Sequence, residues 1–560
     1  MNPSFDQVRH ITLLAAAAFI LSCSAHAQSV ACPAIRDLLL TNGVIHTMDA
    51  GDSVVSSVRV MGDRIAARGE GSLGAGACTA VIDLKRHTVV PGLIDNHNHI
   101  VLLGLRPGYD TRLESARSIE DVLSMLRARA EVVPAGQWIT AIGGFDINQF
   151  VPPPGTPRFP TLEELDSAVA GHPVYIQQGF TGPGVTNSLG RRFFESKGIA
   201  VGDDGSLAGG SVPNPSSRAL FELRQLQSLE DQKRGTLDAM NYAARMGITT
   251  HLDEGGFPAT GTANDGAAHF DPYHAYDALL DLFHEGRMPV RIRLDFLHME
   301  TDPNTPQLQA RLNNTFRNFG SDMLKVLGIG EFTAGDSAII LQQTEPWLNG
   351  TRLVAEAGWR NENHSLTQTD FKTIIDGWEK INAQMPPPGI TKLGWVVAHV
   401  PFITPEYARK LKQLGGGVSV LGGWRYISGT AQNNGPPFRM LADSGIHMGM
   451  SSDGMQISPM NPWIGLYYVV TGRNARGELI NAGQTLSRNE AIHLYTSANG
   501  WFLQEEDLLG TIEEGKYADL VVLDKDYFDA RAVPDSAIRD LHPVLTLVGG
   551  EVVYSDPAGL

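Results

Sequence analysis

Two histidines spaced two residues apart, His97 and His99, end an apolar, β-branched run that starts at His87 and includes Val89, Val90, Leu93 and Ile94. In a strand, residues i and i+2 point the same way, so both imidazoles would face one side. Two converging imidazoles are half of a tetrahedral or five-coordinate metal site. A His-x-His pair by itself is weak evidence, since most such pairs are ordinary surface or core histidines. Other residues able to bind a metal or move a proton stand at the ends of later apolar runs: Lys325, His364, His399 and Asp453. Each has a plain structural alternative. Lys325 could snorkel from an apolar run, His364 could lie in a loop, and Asp453 could cap a helix.

The elements that must position these residues are short apolar runs, many separated by helical patterns. They fall at 247–253, 290–298, 323–327, just before His364, then at 395–399, 417–421 and 446–453. With the stretch ending at His99 they make eight, the number a (β/α)8 TIM barrel needs, and barrel enzymes place their sites at the C-terminal strand ends. Helix starts fall between the strands. Ser118-x-x-Asp121 and Ser487-x-x-Glu490 are capping patterns, and Thr404-Pro405 opens a helix that stops at the glycines 415–417.

Short strands with glycine turns at 34–88, and again at 508–558 with a Gly549-Gly550 hairpin turn, predict one β-sandwich module built from both chain ends. The expected fold is therefore α/β: a barrel at 89–507, the sandwich, and a capping subdomain inserted at about 100–229, where the gap is too long for one crossover.

The 560 residues leave room for this arrangement, and 42% hydrophobic with 19% charged residues is ordinary for a globular chain. A net charge of -17 argues against nucleic acid or an anionic membrane as partner. Residues 1–27 read as a secretory leader: Arg9, an apolar stretch from Ile11 to Leu21, and Ala25-His26-Ala27 at the cleavage site. The apolar stretch is too short to span a bilayer, and no other stretch qualifies. Export to a periplasmic or extracellular compartment follows, with a lipoprotein at Cys23 as the weaker alternative. Cleavage leaves Cys32 and Cys78, which an oxidising compartment would let pair; two unpaired buried thiols are the alternative.

The stretch Pro91-Gly-Leu-Ile-Asp-Asn-His-Asn-His99 resembles the entry motif of the metal-dependent amidohydrolase superfamily. The order of candidates along the strands, His-x-His on the first, Lys on the fourth, His on the fifth and sixth and Asp on the eighth, is also that of its binuclear members. Within the superfamily the chain resembles the amidohydrolase family 3 branch that includes the N-substituted formamide deformylases. That likeness rests on Gly143-Gly-Phe-Asp146, Val185-Thr-Asn-Ser188, Gly358-Trp359, Ser452-Asp453 and the tail from Gly510 to Asp524.

The resemblance implies His97, His99, Lys325, His364 and His399 as metal ligands, with Lys325 carbamylated as the bridge. It implies Asp453 as the catalytic proton carrier, and one or two divalent ions, zinc first among them, activating a hydroxide. Departures from the branch pattern are Ala398 where Glu is usual, Ser365-Leu-Thr-Gln368 after His364 where Gly-Asp is usual, Ile329-Gly330 for Asp-Gly, and Gly182 for His. Aromatic residues near strand ends, Phe145, Trp359, Trp424 and Tyr426, are candidates for an apolar substrate pocket, with ordinary core aromatics as the alternative for each.

Together these features predict an exported metal-dependent hydrolase of an amide or related C–N bond in a small apolar or aromatic molecule. The alternatives are lactone or ester hydrolysis, isomerisation or elimination on the same scaffold, and a non-catalytic metal-binding protein. Metal identity and oligomeric state stay open, a homo-oligomer included.

Overall fold

The structure is a computed structural model that describes residues 32, 35–179, 181–256, 274–335, 345–454 and 457–560; the expected leader, with Cys23, lies outside the described residues. Eight parallel strands form one sheet in chain order: β1 (Leu93–Asn98), β2 (Ile248–Asp253), β3 (Arg291–Phe296), β4 (Leu324–Ile329), β5 (Arg360–Asn363), β6 (Val396–His399), β7 (Gly417–Leu421) and β8 (His447–Ser451). The ends of the sheet meet. The Asp453 amide donates to His97 O at 3.0 Å and the Ser452 amide to Asp95 Oδ1 at 2.9 Å, joining β8 to β1. The fold is a (β/α)8 barrel.

These strands are short and buried at nearly every position, because one face looks into the barrel and the other lies under helices. The helix layer packs around large fully buried rings, Trp347, Trp378, Trp395 and Trp463. Helices start at the expected caps. The Ser118, Thr404 and Ser487 hydroxyls accept backbone N–H bonds from Asp121, Tyr407 and Glu490, satisfying donors that the first turn leaves free.

Two further sheets use both ends of the chain. One has four strands from 37 to 83; the other has six and interleaves Thr88–Pro91 with Leu520–Leu523 and Pro543–Val548. Leu40, Val58 and Val60 from the first and Val89, Leu520 and Val522 from the second share one core. The hairpin at Gly549 and Gly550 needs positive φ at both positions (54° and 72°), which only glycine adopts without strain. Thr88–Pro91 runs through Gly92 straight into β1, so the double-sheet module anchors the strand that carries His97. Cys32 and Cys78 are disulfide-bonded, their Cα atoms 5.4 Å apart.

Between β1 and β2 the chain builds a five-stranded sheet with its own core, including Leu126, Ile139, Phe145 and Val174. Among the described residues no helix is long and apolar enough to cross a membrane.

Candidate metal centre

Four histidines converge on one carboxylate at the C-terminal mouth of the barrel. His97 and His99 leave the end of β1, His364 follows β5, and His399 ends β6. Glu331, two residues past β4, sits among them. Its Oε1 lies 3.3 Å from His99 Nε2. Its Oε2 lies 2.8 Å from His364 Nδ1, 3.3 Å from His399 Nε2 and 3.6 Å from His97 Nε2. Asp453 completes the group, 3.7 Å from His99 Nε2 and 3.9 Å from His399 Nε2. His97, His99 and His399 are buried; the His364 side chain is 19% exposed, so the centre opens on that side.

The surroundings orient the imidazoles as metal ligands need. His97 Nδ1–H donates to Glu362 Oε1 at 2.6 Å and His99 Nδ1–H to Gly255 O at 2.8 Å, which leaves both Nε2 atoms turned toward Glu331. A carboxylate or carbonyl behind a ligating imidazole fixes its tautomer and raises its basicity. The His97 Nε2 and His399 Nδ1 atoms are buried without hydrogen-bond partners. Four imidazoles and two carboxylates, with subsets of their donor atoms within 4.8 Å of one another, suit one or two divalent ions of the zinc type. His399 and Asp453 both hold left-handed backbone, φ 68° and 48°, a conformation that costs a non-glycine residue some strain.

Charges reinforce one another here. Burial pushes the Glu331 carboxyl up, but His364, His399 and His99 outweigh it and hold the group well below the usual range. Burial pulls His99 down, yet the Glu331 carboxylate prevails and leaves it at about 9. His399 is pushed down to about 3 by burial, with His97 and His364 as neighbouring like charges. Burial lifts Asp453 to about 6 against the pull of His97 and His99.

Under the centre lies a buried polar column. Arg360 and Glu362 alternate along β5 with His364 just past its end, and the Arg360 guanidinium bonds Asp295 and Glu362. Glu254 and Asp295 crowd the same space with Glu362, and burial with mutual repulsion raises Glu254 well above the carboxylate range. Gly330 lets the chain pass over this cluster. A Cβ there would lie 2.3 Å from Glu254 Oε2 and 3.0 Å from Glu362 Cβ, so a side chain would have to push the buried Glu254 carboxylate aside.

Lys325, expected as the bridging ligand, is not in the centre. It is the second residue of β4, at the opposite end of the strand, and its ammonium pairs with Glu505, which also binds Arg293 Nε at 2.7 Å. Glu331 occupies the place among the histidines. The expected strand 323–327 stops short of the real strand end at Ile329; followed two residues further, it reaches Glu331. The Arg-x-Glu-x-His alternation of 360–364 likewise marks Glu362 as a neighbour of His364 on one strand face.

The expected aromatic pocket mostly dissolves into core. Phe145 stacks on Phe150 at 5.3 Å inside the inserted subdomain. Trp359 precedes β5 at the far end of the barrel, its carbonyl accepting from Trp395 Nε1. Tyr426 is buried, its hydroxyl accepting from Arg539 at 2.9 Å. Trp424, just past β7, is half-buried and at the open end of the barrel. The Phe332 ring lies 5.4 Å from the His364 ring.

The sequence pattern of the amidohydrolase family matches residues 80–554. The chain is 23% identical to an N-substituted formamide deformylase of Arthrobacter pascens over 93% of this chain and 98% of that one. Among solved structures, an uncharacterized metal-dependent hydrolase of Pyrococcus horikoshii covers 89% of this chain and 99% of its own, at 18% identity and a TM-score of 0.58. A mutant atrazine chlorohydrolase of Arthrobacter aurescens, complexed with zinc and atraton, matches 92% of this chain and 95% of its own at 14% identity and a TM-score of 0.52.

Proposed function

Because the chain belongs to the amidohydrolase family, a metal-dependent hydrolase is its class, and we propose that it is exported and cleaves the C–N bond of a small apolar amide. The observation that carries this reading is the convergence of His97, His99, His364 and His399 on Glu331, with Asp453 beside them. The likeness to a formamide deformylase along nearly the whole chain supports an amide carbonyl as target. The Cys32–Cys78 disulfide and the leader-like residues 1–27 support export.

In this reading the four imidazoles and Glu331 hold the ions, with zinc as the best match to the donor set. Bound divalent ions supply an acidified water and a polarised carbonyl. The protein's own residues do the rest. Glu331 balances the charge of the ions, and Glu362 and Gly255 O keep His97 and His99 aimed. Asp453 accepts the proton of the attacking water and returns it to the departing nitrogen. Trp424, half-buried just past β7, offers apolar contact on the open side.

The test is a panel of N-formyl and N-acyl amines, lactones and esters incubated with the zinc-loaded protein. Amine release from the amides alone supports the proposal; turnover confined to lactones or esters would replace the C–N bond by C–O.

A further inference from the structure

Away from the centre, a cavity of about 590 Å³ opens where residues 103–112, the helix Ile119–Ala130, the helix Leu229–Met246 and Tyr554 meet. Its size is that of a small-molecule site. Four arginines line it, Arg106, Arg112, Arg129 and Arg245, in a chain whose net charge is -17.

The carboxylates present do not use up their donors. Arg106 Nη1 bonds Asp110 Oδ2 at 3.1 Å, which Arg112 shares at 3.7 Å. Arg112 also pairs with Glu114, and Arg129 meets Asp238 at 3.0 Å. Among the described residues five buried guanidinium nitrogens still lack a hydrogen bond: Nε and Nη2 of Arg106, Nε and Nη1 of Arg112 (the latter only 3.7 Å from Asp110), and Nε of Arg129. The Arg106 and Arg112 side chains are 1% and 7% exposed, so their guanidinium groups are largely withdrawn from bulk water, while Arg129 is partly open at 24%. Leaving buried charged donors unmet is costly unless something else meets them. Leu103, Met125 and Ala128 give the same cavity an apolar wall.

We propose that this cleft binds a small organic anion, a carboxylate or phosphate ester with an apolar body, at a site separate from the metal centre. Planar guanidinium forks match the two oxygens of either group. Burial, with Arg112 as a nearby like charge, pushes Arg106 down to about 9, and an anion would relieve that. The cleft also touches the centre's framework: Arg112 Nη2 donates to Gly454 O at 3.1 Å, one residue past Asp453.

The experiment is calorimetric titration of the full protein with inorganic phosphate and with benzoate at constant ionic strength, before and after removal of metal by a chelator. Saturable binding of at least one probe is expected, unaffected by chelation, and weakened about tenfold or more in Arg106→Gln and in Arg129→Gln. Should Arg106→Gln not fold, Arg129→Gln and the exposed Arg245→Gln carry the comparison. Tighter binding of phosphate assigns a phosphate ester, tighter binding of benzoate a carboxylate. Failure of both probes to bind, binding that disappears with the metal, or binding indifferent to all the arginine variants would each overturn the proposal. None of these results bears on the C–N hydrolase reading, which concerns other residues.

Discussion

Glu331 and His364 meet at 2.8 Å, carboxylate Oε2 to imidazole Nδ1, from the ends of adjacent strands β4 and β5. Around that contact the other three histidines gather, so Glu331 is the carboxylate the centre depends on. Glu331→Gln should strip bound metal and lower turnover about 10²-fold or more, because an amide cannot balance the dications. Lys325→Met should keep its metal. Its cost should be stability, about 1–2 kcal/mol, since Glu505 retains Arg293. Elemental analysis of both purified variants decides; metal lost from Lys325→Met and kept in Glu331→Gln would reverse the assignment.

Glu362 acts through His97. Removing its charge in Glu362→Gln should lower metal affinity by ~10–100-fold while the barrel stays folded, as with other carboxylates placed behind ligating imidazoles. Competition with a chromophoric chelator measures this. An unchanged affinity would leave the 2.6 Å contact without influence on the centre.

Asp453→Asn keeps size and hydrogen bonding but cannot take up the proton. Turnover should drop on the order of 10²-fold with most metal retained. A plain helix cap would behave otherwise, since Asn caps about as well as Asp. Near-normal turnover in this variant would remove Asp453 from proton transfer.

The Cys32–Cys78 bond closes a separation of 46 residues in the sequence. On the chain-entropy model such a loop is worth ~4 kcal/mol, through the unfolded state. Urea unfolding with and without reductant should show a clear shift in midpoint, and Cys78→Ser should match the reduced protein. Coincident curves would refute it.

Acid should weaken the cap at Ser487. Glu490 is held down at about 2, chiefly by the Arg439 fork at 2.7 and 2.9 Å and also by the Ser487 hydroxyl. An unfolded Glu titrates near ~4.3, so this contribution is full above that pH and fades as pH falls toward 2. The pair is partly exposed, so the effect is small, about 0.5–1 kcal/mol. Wild type should exceed Glu490→Gln in stability at pH 7 and lose most of that margin by about pH 2; a constant margin would show the charge to be irrelevant.

Local chemistry was enough to read much of this protein from its sequence. Most of the eight strands are legible because buried parallel strands read as short apolar runs, though β5 is the polar Arg360–Asn363, and the helix starts are legible because Ser118, Thr404 and Ser487 cap within three residues. His97 and His99 are legible because a period of two puts both rings on one side. What the sequence could not decide is where along a strand the mouth of the barrel lies. Lys325 and Glu331 share a strand parity, but only the closed barrel shows that Lys325 sits at one end beside Glu505 and Glu331 at the other among four histidines. The same holds for the aromatics. Trp359 and Tyr426 look alike in sequence to Trp424, yet packing buries the first two in the core and leaves Trp424 half-buried near the open end. Residue type and spacing set which groups could do chemistry, because they act within a few residues. Which of them meet was settled by closure of the barrel, which joins strand ends hundreds of residues apart.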